Sequence, residues 1–375
     1  MQFRDLSRQY QALQPAIDEA MQRVASGSHY IMGPEVKALE EELADYVGSH
    51  YCLTCANGTD ALTLALKAWG IGQGDAVFVP DFTFFSTAEV VALEGAHPIF
   101  VDVSPTTFNI DPSSLEQAIQ AVLADGRLTP KVIISVDLFG LPAPYEALRT
   151  LANQYHLYLL EDGAQGFGGA IDGKRACSFG DISTTSFFPA KPLGCYGDGG
   201  AIFTDNPDWA ALISSYRVHG KGTDKYDNVR IGLNSRLDTL QAAILQVKLQ
   251  AFRDKELKQV NRAATIYNRL LRGRVIIPTL PDGYCSSWAQ YTIRLQDSTQ
   301  RTHVQSVLKQ ADIPSMVYYP KPMHAQSAFQ GLWQPMDVNA FASNRLCETV
   351  LSLPMSPYIT PEEIAQVCTR LLSAL

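Results

Sequence analysis

The chain has 375 residues, 46% of them hydrophobic and 18% charged, with 38 acidic against 30 basic side chains and a formal net charge of −8. That size and composition suit one large domain and one smaller one, and the acidic balance argues against a general nucleic-acid binder. With no run of about 18 apolar residues and no apolar stretch behind Met1, neither a spanning helix nor a secretory signal is expected. Seven scattered cysteines fit a reducing cytoplasm. Cys52 and Cys55 read as buried structural thiols, since no second pair follows at zinc spacing and no metal is expected.

Leu13, Ile17, Met21 and Val24 recur at helical spacing within 11–25. The stretch S-G-S-H-Y-I-M-G-P breaks that helix, and Pro34 opens a second one at its first turn. Val36, Leu39, Leu43 and Tyr46 give the second helix one apolar face, and Gly48 ends it. Next, in Y-C-L-T-C-A-N-G-T-D, a short strand yields at Asn57-Gly58-Thr59 to a helix from about Asp60 to Trp69. Such a turn presents free backbone N–H groups and the positive dipole end to an anion. The same residues are also ordinary capping chemistry.

Strand and helix then alternate. Val77–Pro80, His97–Val103, Lys131–Leu138 and Leu157–Leu160 read as strands, with helices at Thr87–Leu93, Pro112–Leu123 and Tyr145–Tyr155. The repeated pattern predicts an α/β fold whose large domain has a mainly parallel sheet with helices on both faces. Ligands in such sheets bind beyond the carboxyl ends of the strands. The Gly58 turn, the loop 80–85 and Asp162 all fall there.

From Asp181 to Asp205 the chain reads D-I-S-T-T-S-F-F-P-A-K-P-L-G-C-Y-G-D-G-G-A-I-F-T-D. Pro189 and Pro192 flank Lys191 and remove backbone donors, while Gly194, Gly197, Gly199 and Gly200 allow close packing behind it. A lysine in a partly desolvated pocket disfavours its ammonium form and becomes a nucleophile able to form a Schiff base. The plain alternative is a solvated loop lysine.

A helix follows at Asp208–Arg217, then a polar loop up to Arg236. From Leu237 the spacing of Leu240, Ile244 and Val247 predicts one long helix running past Val260 and linking two domains, 1–250 and 251–375. The second reads as a small α+β domain, with strands at Tyr291–Leu295 and Met316–Tyr319 and helices at His303–Gln310 and Pro361–Leu372.

Lys191, the strand end L-Y-L-L-E-D-G-A-Q and Ser186 supply a lysine for an aldehyde, a carboxylate for a ring nitrogen and a hydroxyl for a phosphate. With S-F-F-P-A-K-P-L-G-C-Y-G-D-G-G, the chain resembles the DegT/StrS-type sugar aminotransferases over nearly its whole length. Many of these have Ser-Lys-Asn where this chain has Ala190, Lys191 and Pro192. The resemblance implies a fold-type I enzyme that uses pyridoxal 5'-phosphate, acts in the cytoplasm as a homodimer with shared active sites, and binds no membrane. It implies Lys191 as Schiff-base lysine and proton shuttle, with Asp162 at the pyridine nitrogen and Gln165 at the ring oxygen. By the same likeness Phe84 stacks on the ring, Ser186, Gly58 and Thr59 hold phosphate, and Asn234 reaches that phosphate from the second subunit. Glu161 faces away as a structural acid.

Arg236, Tyr319, His324 and Tyr30 match substrate-lining positions. From the residues alone, Arg236 reads equally as a structural ion pair, Tyr319 and His324 as packing, and Tyr30 as an interhelix loop. The motifs are most similar to those of members aminating UDP-2-acetamido-3-oxo-glucuronate from L-glutamate, for cell-surface polysaccharide. A 4-keto UDP-sugar or a dTDP-3-keto-6-deoxy sugar stays open. A uronate needs a cation, and Arg236, Arg230, Lys221 and Lys225 are the candidates. Three other readings are weighed, and a nicotinamide-dependent Rossmann enzyme is disfavoured because the glycine turn G-F-G-G-A-I-D-G from Gly166 opens no apolar helix. Lys191 disfavours a dehydratase, and the full residue set disfavours a non-catalytic ligand-binding regulator.

Overall fold

A seven-stranded sheet runs in the order Tyr51–Cys55, Gly200–Thr204, Ile182–Ser186, Tyr158–Asp162, Thr129–Val136, Asp75–Pro80, His97–Val101. Gly200–Thr204 is antiparallel to both its neighbours, and the other pairings are parallel. The structure is a computed structural model describing residues 1–224 and 226–375. The central strands are apolar on both faces because both are covered, as parallel strands require. Val77 and Val79 face a layer with Leu62, Leu66 and Val90, whereas Ala76 and Phe78 face Leu115, Ile119 and Leu148. Each large side chain so buried contributes about 1.5–3 kcal/mol.

The helix ends follow local chemistry. Leu6–Gly27 starts earlier than its apolar spacing suggests, because the Asp5 side chain accepts from Arg8 N at 2.9 Å. Pro34–Val47 closes at Gly48, whose φ of 83° suits glycine. Asn57 caps Gly58–Ala68 by accepting from Asp60 N at 2.8 Å. Cys52 and Cys55 are free and buried in the sheet, and burial pushes the Cys55 thiol up to about 12. No described helix is long and apolar enough to cross a membrane.

Two expectations are corrected. The long helix is three pieces, Thr239–Ala251, a π turn at Phe252–Glu256 and Leu257–Leu271. The π turn carries Glu256, fully buried, toward Gln9 and Tyr358. Met316–Tyr319 is not a strand, as Met316 makes only an isolated bridge to Ser352. The partner of Tyr291–Arg294 is instead Val350–Leu353, antiparallel. This pair and Leu257–Leu271 share a second core with the helix Pro361–Leu372. The segment between returns to the first core through Met323, Phe329 and Phe341.

Candidate active site

Strands Ile182–Ser186 and Gly200–Thr204 pair antiparallel, and the chain between them leaves the sheet at its carboxyl end. Phe187 N donates to Gly199 O at 2.7 Å and Cys195 N to Phe187 O at 2.8 Å, pinching the base of this excursion. Lys191 N donates to Phe188 O at 2.8 Å, turning the lysine inward. A Cβ on Gly194 would sit 2.5 Å from Pro189 O, so the turn behind Lys191 tolerates only glycine. Burial lowers the Lys191 pKa, and the Asp162 charge opposes that shift.

Lys191 lines a cavity of about 410 Å³ with Gly58, Thr59, Phe84, Asp162, Gln165, Ser186 and Tyr319. Asp162 ends its strand on the cavity wall. Burial raises its pKa, while hydrogen bonds from Thr87 and Ala164 N, together with the Lys191 charge, lower it. Its Oδ2 accepts from Thr87 Oγ1 at 2.9 Å and its Oδ1 from Ala164 N at 3.2 Å. Glu161 points to the other side, where Phe179 N at 2.7 Å, Ser183 Oγ at 2.7 Å and Cys177 N donate to it. The structural-acid expectation for Glu161 matches that geometry.

Gln165 is engaged at both ends of its amide. Its Oε1 accepts from Phe139 N at 2.7 Å, and Nε2 donates to Tyr319 OH at 3.1 Å, leaving one Nε2 hydrogen for a ligand. Burial pushes the Tyr319 hydroxyl well up, so it stays a neutral donor or acceptor. Phe84 is 53% exposed toward the cavity, with its ring centroid 6.3 Å from that of Tyr319, whereas Phe82 is core.

At the far end, the amino terminus of Gly58–Ala68 abuts Ser186. A Cβ on Gly58 would lie 2.7 Å from Ser186 Cβ, and one on Gly200 would lie 2.5 Å from Asn57 O. Thr59 Oγ1 and Ser86 Oγ share a hydrogen bond of 2.8 Å. A helix amino terminus, two close glycines and several hydroxyls form a cradle for a phosphate. An amine of lowered pKa, a buried carboxylate, a half-exposed aromatic ring and this cradle fit pyridoxal phosphate.

Four expected residues stand off the cavity wall. Tyr30 is 52% exposed, donates its hydroxyl to Ala25 O at 3.2 Å and accepts at its carbonyl from Thr239 N. Asn234 bridges to Val218 and is exposed. Arg236 is half-buried and makes no hydrogen bond or ion pair among the described residues. The His324 ring lies 2.7 Å from Asp81 Oδ2, and its backbone N donates to Asp81 Oδ1 at 2.8 Å. Asp81 is fully buried and also accepts from Ser343 Oγ, so this histidine ties its loop to the large core. Of the uronate candidates, Lys225 lies outside the described residues, whereas Lys221 and Arg230 line a separate surface hollow.

Sequence reasoning missed Thr83, Ser86, Asp198, Gln290 and Tyr318 on the wall, and Thr87 behind Asp162. For Thr83, Ser86 and Thr87 a signal was present. The run F-T-F-F-S-T puts three hydroxyls at a strand end and first helical turn, where side chains reach a ligand site.

A model of the DegT/DnrJ/EryC1/StrS aminotransferase family matches residues 11–372. A UDP-2-acetamido-2-deoxy-3-oxo-D-glucuronate aminotransferase from Pseudomonas aeruginosa is 43% identical over 374 residues, covering 99% of each chain. A UDP-N-acetyl-3-dehydro-alpha-D-glucosamine 3-aminotransferase from Acidithiobacillus ferrooxidans is 38% identical over 97% of this chain and 95% of its own. A crystal structure of a DegT DnrJ EryC1 StrS aminotransferase from Brucella abortus superposes with a TM-score of 0.96 at 45% identity, covering 99% of this chain and 98% of that one.

Proposed function

The chain belongs to the DegT/DnrJ/EryC1/StrS aminotransferase family, whose cofactor is pyridoxal phosphate, and on that premise we propose that it aminates a UDP-3-keto-N-acetylhexosamine uronate. L-Glutamate is the amino donor, and the product serves cell-surface polysaccharide. The observation that carries this reading is Lys191 facing Asp162 across one cavity, in a chain 43% identical over 99% of its length to an enzyme named for that uronate.

When bound, the cofactor supplies an aldehyde for the lysine and a ring that accepts the electron pair left when a proton departs from carbon. Asp162 would supply the negative charge that keeps a proton on the ring nitrogen. Once the amino donor has displaced it from the aldehyde, Lys191 Nζ, inclined to neutrality by burial, would take the proton from the donor carbon and deliver it to the cofactor's carbon. Ser186 and the Gly58–Thr59 turn would hold the phosphate, and Phe84 would pack on the ring.

Lys191 is the one cation on the described cavity wall. A uronate carboxylate must therefore be met from elsewhere, and Arg236, which pairs with none of the described residues, suits it, since a guanidinium grips a carboxylate bidentately. Arg236 and Asn234 stand off the cavity of their own chain, which supports a homodimer that exchanges this loop. Ile231 and Val229 beside it are 90% and 53% exposed, apolar surface suited to a second copy. The reading also takes the enzyme to be cytoplasmic, where nucleotide sugars are made.

The enzyme with its cofactor in the amino-carrying form is mixed with a panel of UDP- and dTDP-keto-sugars. The visible absorbance should return fastest with the UDP-3-keto uronate. A faster return with a 4-keto UDP-sugar moves the reading to that class, and failure with every UDP-sugar removes it.

A further inference from the structure

Asp162 does not stand alone in the wall. Thr87, in the first turn of the helix Ser86–Leu93, donates to Asp162 Oδ2 at 2.9 Å, and Thr83 Oγ1 lies 3.0 Å behind Thr87 Oγ1. Both threonines have no exposed surface as residues, although Thr83 borders the cavity. A hydroxyl owns a single hydrogen, and an ionised carboxylate can only accept. The Thr87 hydrogen is thus committed to Asp162, so the Thr87 oxygen must accept from Thr83. The direction of the whole relay is fixed by negative charge at its end. Were Asp162 to take up a proton, as burial alone favours, the relay would lose that direction. Hydrogen bonds in such a dry chain polarise one another, so Thr83 strengthens the bond that Thr87 makes.

We infer that Thr87, backed by Thr83, is a positioning residue of the aminotransfer reaction, holding the Asp162 carboxylate ionised and aimed at the cofactor's ring nitrogen. This rests on the reading that Asp162 meets that nitrogen. The other titratable groups facing Asp162 are Lys191 and Tyr319, and both stay in place in the variants below.

The discriminating variant is Thr87→Val, which keeps the side-chain shape and removes only the hydroxyl. Full-length wild type, Thr87→Val, Thr87→Ser and Thr83→Val are each reloaded with pyridoxal phosphate labelled with nitrogen-15 in the ring. The nitrogen chemical shift is then followed against pH. Wild type should keep the nitrogen protonated through neutrality. Thr87→Val should lose that proton about one pH unit or more lower, the scale of a hydrogen bond to a charged group. Thr83→Val should shift the same way by less, and Thr87→Ser should restore the wild-type curve. A protonated wild-type nitrogen with an unchanged Thr87→Val curve overturns the inference alone. An unprotonated wild-type nitrogen overturns the Asp162 reading and the inference with it. Should Thr87→Val fail to fold, Thr83→Val decides, since it leaves the contact to Asp162 intact. An unshifted curve there removes the relay.

Discussion

The Arg4 guanidinium donates to the carbonyl of Pro192, the residue after Lys191, with Nη2 3.2 Å from the oxygen. The two are 188 residues apart in the chain. Burial pulls the Arg4 pKa down to about 10, and the buried Glu256 carboxylate pulls the other way. Glu256 in turn accepts from Gln9 at 3.0 Å and from Tyr358 at 2.7 Å, while Phe3 O accepts from Met355 N at 2.9 Å. The amino-terminal strap therefore joins the C-terminal segment to the loop that carries the lysine.

Arg4→Ala should consequently loosen more than one element. It strips the Pro192 carbonyl of its donor and Glu256 of a nearby cation, which should lower stability by about 1.5–3 kcal/mol. Thermal melts of the cofactor-free protein read this directly. A variant melting with wild type would show that the strap does not support the loop.

Gly58→Ala addresses the cradle. The added methyl would lie 2.7 Å from Ser186 Cβ, and the neighbour there is a short side chain on a paired strand that has little room to yield. Titrating cofactor-free protein with pyridoxal phosphate should show affinity reduced by about tenfold or more, on the order of 1.4 kcal/mol. Unchanged affinity would place the phosphate elsewhere.

Arg236→Ala makes a comparative claim about substrate. Turnover of the uronate should fall far more than turnover of its 6-hydroxyl analogue, because only the former presents a carboxylate. Equal losses on both would take the carboxylate role away from Arg236.

A pH effect is expected from Arg8 and Glu363, joined by bonds of 2.8 and 2.7 Å. The Arg8 hydrogen bond holds the Glu363 carboxyl below its ordinary value. The unfolded chain then binds that proton at higher pH than the folded one. The pair's contribution is present above the ordinary glutamate pKa and is lost as pH falls through the folded value. Since the pair is partly exposed, it is worth under about 1 kcal/mol. Glu363→Gln should lower the melting temperature slightly at neutral pH and not at all in acid. A gap that persists in acid would assign the loss to the helix cap instead.

Much of this was legible in the chain because the deciding chemistry is local. Pro34 and Gly48 bound their helix, Asn57 caps the next, and apolar runs mark several of the sheet's parallel strands, though not their order. The site is legible where one segment carries it, as with Lys191 between its two prolines. What escaped depends on distant partners. The π turn at 252–256 delivers Glu256 to Gln9, 247 residues away, and no helical periodicity encodes that. Val350–Leu353 pairs with Tyr291–Arg294 across a long connection, a partnership that no local pattern in either segment encodes. Thr87 gains meaning only once Asp162, 75 residues on, ends its strand beside it.

Reduction with borohydride, followed by peptide mapping of the full-length enzyme loaded with pyridoxal phosphate, tests the central claim most directly. The claim is that Lys191 is the residue to which the cofactor is joined, in a pocket that lowers its pKa. The account predicts one reduced adduct, on the peptide containing Lys191, and none in a Lys191→Ala variant that still folds. An adduct on any other lysine, or an undiminished adduct in that variant, would contradict it.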